Sequence, residues 1–365
     1  MFGGPMIFFL RAIASRMTYG NPSLREGSAT RTEWDNFVRC TQGGTFFHLI
    51  GWKEVLERAF GFTSHYLVAR RAGQMVGGLP LFELRARGAP HCLQSLPFAV
   101  EGGICGADDA AADALEEAAV ARGDRCGVRY IELRDTRVGA RFQRREGTYF
   151  RFRRPLLATD DAEFAALPRK RRRMVRIGQR AALTARVSQD DLPVFHDLFA
   201  RSLRNLGTPA FPYRYFRLLL SQFPDETVLL TVWRAGQPAA AVLSFLFADT
   251  ILPYYAGNRR EFRRDAVNDF MYWELMRWAR ARGYRVFDFG RSKQGSGAYE
   301  YKRLWGFEPE LLSYRVHLRR GAMPPSAPLE SPPVQLLRRV WRRFPLSVTK
   351  LVGPHFLRRY GPFYT

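Results

Sequence analysis

The chain carries a partial copy of itself. Residues 66–82 read YLVARRAGQMVGGLPLF, and residues 228–247 read VLLTVWRAGQPAAAVLSFLF. Each is an apolar run, a turn containing Arg-Ala-Gly-Gln, and a second apolar run, the signature of a β-hairpin. The shared turn falls at Arg71–Gln74 and at Arg234–Gln237. The likeness continues in the same order. Leu96-Pro97-Phe98, then Glu101-Gly102-Gly103, matches Leu252-Pro253-Tyr254, then Ala256-Gly257-Asn258. A helical pattern follows at Ala111–Arg122 and at Asn268–Arg282, and both end in Ala-Arg-Gly, with Gly123 and Gly283 placed to supply a left-handed cap. Each leads into an apolar strand, at Tyr130–Leu133 and Tyr284–Phe289. Self-similarity of this kind constrains a fold more than any single motif. The sequence predicts two copies of a hairpin–strand–helix–strand unit, α/β with a mixed sheet in each half.

Four regions follow. Residues 1–44 read as an N-terminal extension, 45–149 as the first unit, 150–320 as the second, and 321–365 as a Pro-rich linker with a basic amphipathic tail. The second unit opens with a basic run in which Arg169, Lys170, Arg171, Arg172, Arg173, Arg176 and Arg180 have no acid among them. Pro168 suits the first turn of a helix there. A further helix is expected from Leu192 to Leu206, with Phe195, Leu198, Phe199 and Leu203 on one face and Gly207-Thr208-Pro209 stopping it. In the second helix of the repeat, Met271, Leu275 and Trp278 fall at helical spacing and predict its core face. In the tail, Val334, Leu337, Val340, Trp341 and Phe344 do the same, with arginines on the other face. That tail suits either an anionic membrane surface or docking on the protein itself.

The formal charge of +23 is the most unusual bulk property. A field of that sign attracts phosphates on nucleic acid, lipid head groups or nucleotide-linked substrates. Seven positives in the 169–180 run favour phosphate contact over a merely solvated helix face. Cys40, Cys92, Cys105 and Cys126 are widely spaced, with no paired Cys-x-x-Cys and no neighbouring His cluster, so neither a metal site nor a disulfide framework is expected. Reduced thiols fit the cytoplasm. The apolar run Met6–Leu10 is short, its charge comes afterwards at Arg11, and Met17 is an alternative start. No stretch approaches the roughly 18 apolar residues of a membrane span. The expectation is a cytoplasmic monomer, peripheral at the inner face of the membrane if the tail binds lipid.

The block Asn268–Phe307, NDFMYWELMRWARARGYRVFDFGRSKQGSGAYEYKRLWGF, resembles the FemAB-like proteins, in particular the branch associated with exosortase and PEP-CTERM systems in exopolysaccharide loci. Asn205–Pro209, Leu252–Tyr255, Asp288-Phe289-Gly290-Arg291-Ser292-Lys293, and Lys302 with Trp305-Gly306-Phe307 are similar to that branch, as is the Arg-rich run. The resemblance covers roughly 45–318. It implies two tandem acetyltransferase-like (GNAT) domains with mixed sheets flanked by helices, and an acyl or aminoacyl transfer that forms an amide on an amine acceptor. It implies no permanently bound cofactor. The acyl donor, aminoacyl-tRNA or acyl-CoA, would be a co-substrate, and the acceptor an amine-bearing envelope or polysaccharide precursor. Two features depart from relatives. No Arg-x-x-Gly-x-Gly loop precedes the second helix to cradle a pyrophosphate; the segment is Asn258–Asp265 instead. No long heptad-bearing arm is present, as found in some tRNA-using members.

Amide formation needs an amine freed of its proton, an activated carbonyl, and positive charge where the oxyanion develops. Asp288–Lys302 offers these residue types. Asp288, Arg291 and Lys302 are the catalytic candidates, Lys302 mainly through the family motif. Asp288 is about as suited to a structural salt bridge as to acting as a base. Lys293, Tyr254, Tyr255, Tyr299, Asn268 and Asp269 are the substrate-binding candidates. Tyr254 and Tyr255 are adjacent on a strand, so only one is expected to face the crevice. Asn268 reads as an N-cap, and Asp269 sits where a helix dipole favours an anion. No histidine or cysteine has a setting that suggests covalent catalysis. The rival from another class is a nucleic-acid-binding protein. Charge gathered at two places, rather than along one groove, counts against it.

Overall fold

In the computed structural model, which describes residues 23–26, 29–137, 139–319 and 332–363, the strands form one 12-stranded sheet. The strands are β1 (Ser23–Glu26), β2 (Thr63–Arg71), β3 (Gln74–Leu84), β4 (Cys92–Gln94), β5 (Tyr130–Leu133) and β6 (Gln143–Pro155), then β7 (Leu183–Val187), β8 (Thr227–Arg234), β9 (Gln237–Phe247), β10 (Thr250–Asn258), β11 (Val286–Lys293) and β12 (Pro309–Leu318). Their spatial order is β1-β2-β3-β4-β5-β12-β6-β11-β10-β9-β8-β7. Read from either end, this order is the same arrangement with the last strands exchanged. β12 completes the first half beside β5, β6 completes the second beside β11, and the two pair antiparallel at the centre. Among the described strands only β4·β5 and β10·β11 are parallel, so each half is a mixed sheet.

The hairpin turns match. Arg71 pairs with Gln74 and Arg234 with Gln237. Both central residues of each turn have positive φ, Ala72 (49°) with Gly73 (81°) and Ala235 (47°) with Gly236 (76°). A two-residue loop of that kind follows the right-handed twist of its strands.

The helices are α1 (Arg31–Cys40), α2 (Ile50–Phe60), α3 (Asp109–Cys126), α4 (Asp160–Ala166), α5 (Arg169–Arg180), α6 (Leu192–Leu206), α7 (Tyr213–Gln222), α8 (Val267–Ala281), α9 (Gly297–Arg303), α10 (Pro332–Trp341) and α11 (Leu346–Tyr360). α3 and α8 cover equivalent faces of the two halves, and α2 packs on α7 between them. A shared aromatic core seals that junction, with Phe46 stacked on Phe245 at a centroid distance of 4.2 Å.

The expected boundaries differ from this architecture. Residues before 45 are not a mere extension, because β1 pairs with β2, and Trp34 and Val38 of α1 are buried. The division at 149/150 cuts through β6. Strand exchange hides both facts, since the partners lie far apart in sequence. α3 runs through Gly123, whose absent side chain lets Ile131 approach, and Gly127 supplies the left-handed cap at φ 67°. Gly283 is left-handed as expected, at φ 83°. α8 starts one residue early, after a left-handed Ala266, so Asn268 lies in the first turn rather than capping it. Its core face includes Trp273, whereas Trp278 is half-buried beneath Arg282. The tail is two helices separated near Pro345, and most of the Pro-rich linker, 321–331, lies outside the described residues.

Candidate active site

The parallel pair β10·β11 is short. Thr250 faces Val286 and Ile251 faces Phe287, and there the pairing stops. β10 carries an irregularity between Pro253 and Tyr255, and β11 carries one between Asp288 and Arg291 where it meets β6. Proline offers no ladder N–H, and Gly290 adopts φ 65°, a conformation costly for other residues. The strands therefore part. A cavity of about 280 Å³ opens between them, walled by Pro253, Tyr254, Tyr255, Phe289, Gly290 and Arg291, by Tyr272 and Lys302 from α8 and α9, and by Phe98, Val100 and Phe211. Because the irregularity breaks the alternation of β10, both tyrosines reach the cavity, not one. Tyr254 donates to the Phe98 carbonyl across the halves, and the Tyr255 hydroxyl lies 2.8 Å from that of Tyr215.

Lys302 is half-buried, and its ammonium donates to the carbonyls of Phe289 (2.6 Å) and Arg291 (3.0 Å), with Gly290 at 3.4 Å. Burial pushes its pKa down to about 7; Asp288 opposes that shift and Arg291 adds to it. Arg291 donates to the Tyr314 hydroxyl at 2.6 Å and lies 4.7 Å from the centre of the Tyr149 ring. Burial disfavours its charge, but Tyr314, Tyr254 and Tyr149 outweigh that and leave the pKa raised. The cavity thus holds one fixed cation and one cation near its titration point.

Asp288 sits on the other side of β11. It accepts from Arg151 Nε (2.7 Å) and Nη2 (2.5 Å) and from the Gly290 N–H (2.8 Å), while Arg151 also holds Glu101 at 2.5 Å. This carboxylate is fully engaged, which fits a positioning role better than a free base. It lines a second groove of about 1020 Å³, together with His48, Gly103, Arg134, Arg151 and Arg153, and Val100 belongs to the walls of both spaces. His48 is neutral there. Burial lowers its pKa to about 4, its Nε2 contacts the Gly103 carbonyl, and its Nδ1 contacts Thr45.

The other sequence candidates lie elsewhere. Tyr299 packs edge-on against Phe150 and Phe152, outside the cavity wall. Lys293 ends β11, half-buried and facing Tyr149 in register. Asn268 is half-buried in α8. Asp269 is not available to a ligand, because its buried carboxylate accepts from Arg171 at 2.5 Å; burial raises its pKa and Arg171 lowers it. Arg171 is therefore turned inward, away from phosphate, and also lies 5.0 Å from the Tyr301 ring centre. Arg169, Lys170, Arg172, Arg173 and Arg176 line an open groove of about 960 Å³ with Asp161 and Phe164. Arg172 is tied to the Ala165 carbonyl (2.5 Å), and Arg176 stacks on Phe164 at 5.2 Å.

Sequence reasoning missed Arg151, Glu101, Tyr149, Tyr314 and Tyr272. The first four come from the exchanged strands and the first half, and no local motif links them to Asp288. A legible signal was the alternation Tyr149-Phe150-Arg151-Phe152-Arg153, which places both arginines on one strand face. Folding also brings His65, Glu83 and Cys126 within 4.8 Å of one another, contrary to the isolation of the cysteines in sequence. Arg85 donates to Glu83 and His91 there, so that carboxylate already has a cationic partner.

This fold, with each half's hairpin, splayed strands and crossing helix, is a tandem acetyltransferase-like α/β architecture. The acetyltransferase (GNAT) domain family matches residues 162–303. No curated protein matches the chain in sequence. Among solved structures, FemX is similar, with a TM-score of 0.66 at 14% identity over 87% of this chain and 100% of that one. So is the C-terminal domain named for lysylphosphatidylglycerol synthetase from Agrobacterium fabrum, with a TM-score of 0.54 at 14% identity over 80% and 92%. A tandem GNAT protein from the clavulanic acid biosynthesis pathway gives a TM-score of 0.52 at 12% identity over 83% and 100%. These likenesses concern the fold, which is of the acyltransferase type, with an acetyltransferase (GNAT) domain matched within the second half.

Proposed function

We propose that this protein is a FemAB-like acyl- or aminoacyltransferase that forms an amide on an amine-bearing acceptor of envelope or exopolysaccharide synthesis. The observation that carries the reading is the cavity cut into the sheet at β10·β11, with Lys302 and Arg291 in its wall and the Arg-lined groove beside it. The acyl group of the donor occupies the cavity, and the acceptor lies in the groove. Near pH 7 a neutral Lys302 keeps two donated hydrogen bonds and has a lone pair to accept the proton of the attacking amine. The amine nitrogen then attacks the carbonyl carbon of the donor ester or thioester. The tetrahedral oxyanion meets Arg291 and the newly charged Lys302. When the C–O or C–S bond breaks, the proton passes from Lys302 to the leaving group.

The segment Asn258–Asp265 before α8 lacks the Arg-x-x-Gly-x-Gly loop on which an acyl-CoA enzyme would bind pyrophosphate. That favours aminoacyl-tRNA, with the α5 groove meeting its backbone. A thermal-shift screen of acyl-CoAs and charged tRNAs tests this. A true donor at about 100 times its Kd stabilises the fold by roughly 2.7 kcal/mol, and transfer is then assayed with that donor. If none stabilises the protein, while random duplex DNA binds tightly with a steep salt dependence, the reading fails in favour of a nucleic-acid-binding protein.

A further inference from the structure

We propose that α10 and α11 form a docking surface for an anionic lipid bilayer. The two helices have two different apolar faces. One is spent on the protein: Trp341, Thr349, Gly353 and Leu357 are buried, and Gly353 packs so closely that a Cβ there would meet the Ala210 backbone at 2.7 Å. Polar ties fix the same side. Arg338 donates to the Leu206 carbonyl at 3.1 Å, Lys350 pairs with Asp197 at 2.8 Å, and Tyr360 donates to the Arg87 carbonyl at 3.1 Å.

The other face is left uncovered. Leu336 and Leu351 are 61% and 71% exposed, and Leu337, Val340, Phe344, Val348 and Val352 are exposed with them. Val348, Leu351 and Val352 make an i, i+3, i+4 stripe distinct from the buried Thr349–Gly353–Leu357 stripe. A grouped apolar surface of this kind marks an interaction site rather than the scatter normal on a monomer. Its charge selects the occupant. Arg339, Arg342, Arg343, Arg358 and Arg359 are exposed, and residues 332–363 contain no carboxylate. A second copy of a +23 chain would press the same arginines together, whereas anionic head groups satisfy them. No helix among the described residues is long and apolar enough to cross a membrane, so this surface lies in the interface plane.

The test is co-sedimentation of the full chain with phosphatidylcholine vesicles containing about one third phosphatidylglycerol, against phosphatidylcholine alone. The chain sediments with the anionic vesicles only. Leu336→Asp with Leu351→Asp, or Arg339→Glu with Arg343→Glu, weakens that partition roughly tenfold or more. These side chains are exposed, so melting temperature and transfer to a soluble acceptor stay unchanged, which separates this surface from the proposed reaction. Wild-type chain left in the supernatant with anionic lipid overturns the proposal. So does binding that survives the leucine pair, since charge elsewhere would then explain it. A lipid-independent dimer dissolved by that pair assigns the face to a second copy and equally overturns it.

Discussion

Arg151 and Asp288 stand 137 residues apart in the chain, yet the guanidinium of one donates two hydrogen bonds to a single carboxylate oxygen of the other. Asp288 is 2% exposed, and Arg151 is the cation paired with it. The pair exists because β6, following the first half in sequence, completes the sheet of the second. It fixes β11 where the strand leaves β10 and opens the cavity. The halves are thereby one folding unit at the site, with a core that neither half could bury alone.

Arg151→Ala should therefore destabilise the fold by about 3 kcal/mol, because it leaves a buried carboxylate unpaired. Arg151→Met with Asp288→Asn should cost clearly less than the single change. Denaturant unfolding of the two variants beside the wild type measures this, and equal losses in both would mean that the pair is not what holds the strands.

Lys302 sets the pH behaviour. Its folded pKa of about 7 lies below its ordinary value of 10.5. The unfolded chain therefore binds more protons between those values, and stability attributable to this residue rises with pH across that window. Relative to Lys302→Met, the wild-type protein should gain stability from pH 7 to 10.5 and show no such gain below 7. In the transfer assay, the same variant should lose 10²–10³-fold in turnover, the order expected for losing an oxyanion donor. The wild-type rate should fall as pH drops through about 7. A flat pH–rate profile would remove Lys302 from proton transfer.

Much of the fold was legible because the repeat is local. The Arg-Ala-Gly-Gln turns, the strand–helix–strand order and the Asp288–Lys302 block all sit within short windows, and periodicity reads such windows well. Strand exchange was not legible, because β6 and β12 look like ordinary ends of their own halves. Asp269 illustrates the same limit within the site. Its place in the first turn of a helix suggested a ligand, but the dipole and the opposing Arg171 serve an internal ion pair. The expectation that only one of Tyr254 and Tyr255 faces the crevice failed for a third reason: strict alternation assumes an unbroken strand, and β10 is irregular between Pro253 and Tyr255.

The basic helix α5 should split into two classes on mutation. Arg171→Ala removes the partner of buried Asp269 and should cost about 3 kcal/mol. Arg169, Arg173 and Arg176 are exposed, and Ala at each should leave stability within about 0.5 kcal/mol. If the groove meets a nucleic-acid backbone, each lost contact should flatten the salt dependence by about 0.7 for a single strand. Filter binding to tRNA across a salt series gives that slope, and an unchanged slope in the triple variant would exclude the groove as the contact.

The two hairpin turns offer a stability test of the repeat itself. Ala72 and Ala235 hold φ values of 49° and 47°, in the left-handed region that costs an L-residue with a Cβ about 1–2 kcal/mol. Both are exposed at the tip of a two-residue loop, so the strain has no packing purpose visible at either position. Asn tolerates that region far better, and Asn-Gly is the preferred pair for such turns. Ala72→Asn and Ala235→Asn should each stabilise the fold by about 0.5–1 kcal/mol. The sites lie on opposite flanks of the sheet, so the double variant should show the sum. Thermal melts of the four proteins decide it. Stabilisation at one turn and loss at the other would mean that the two loops, despite identical sequence, are not equivalent.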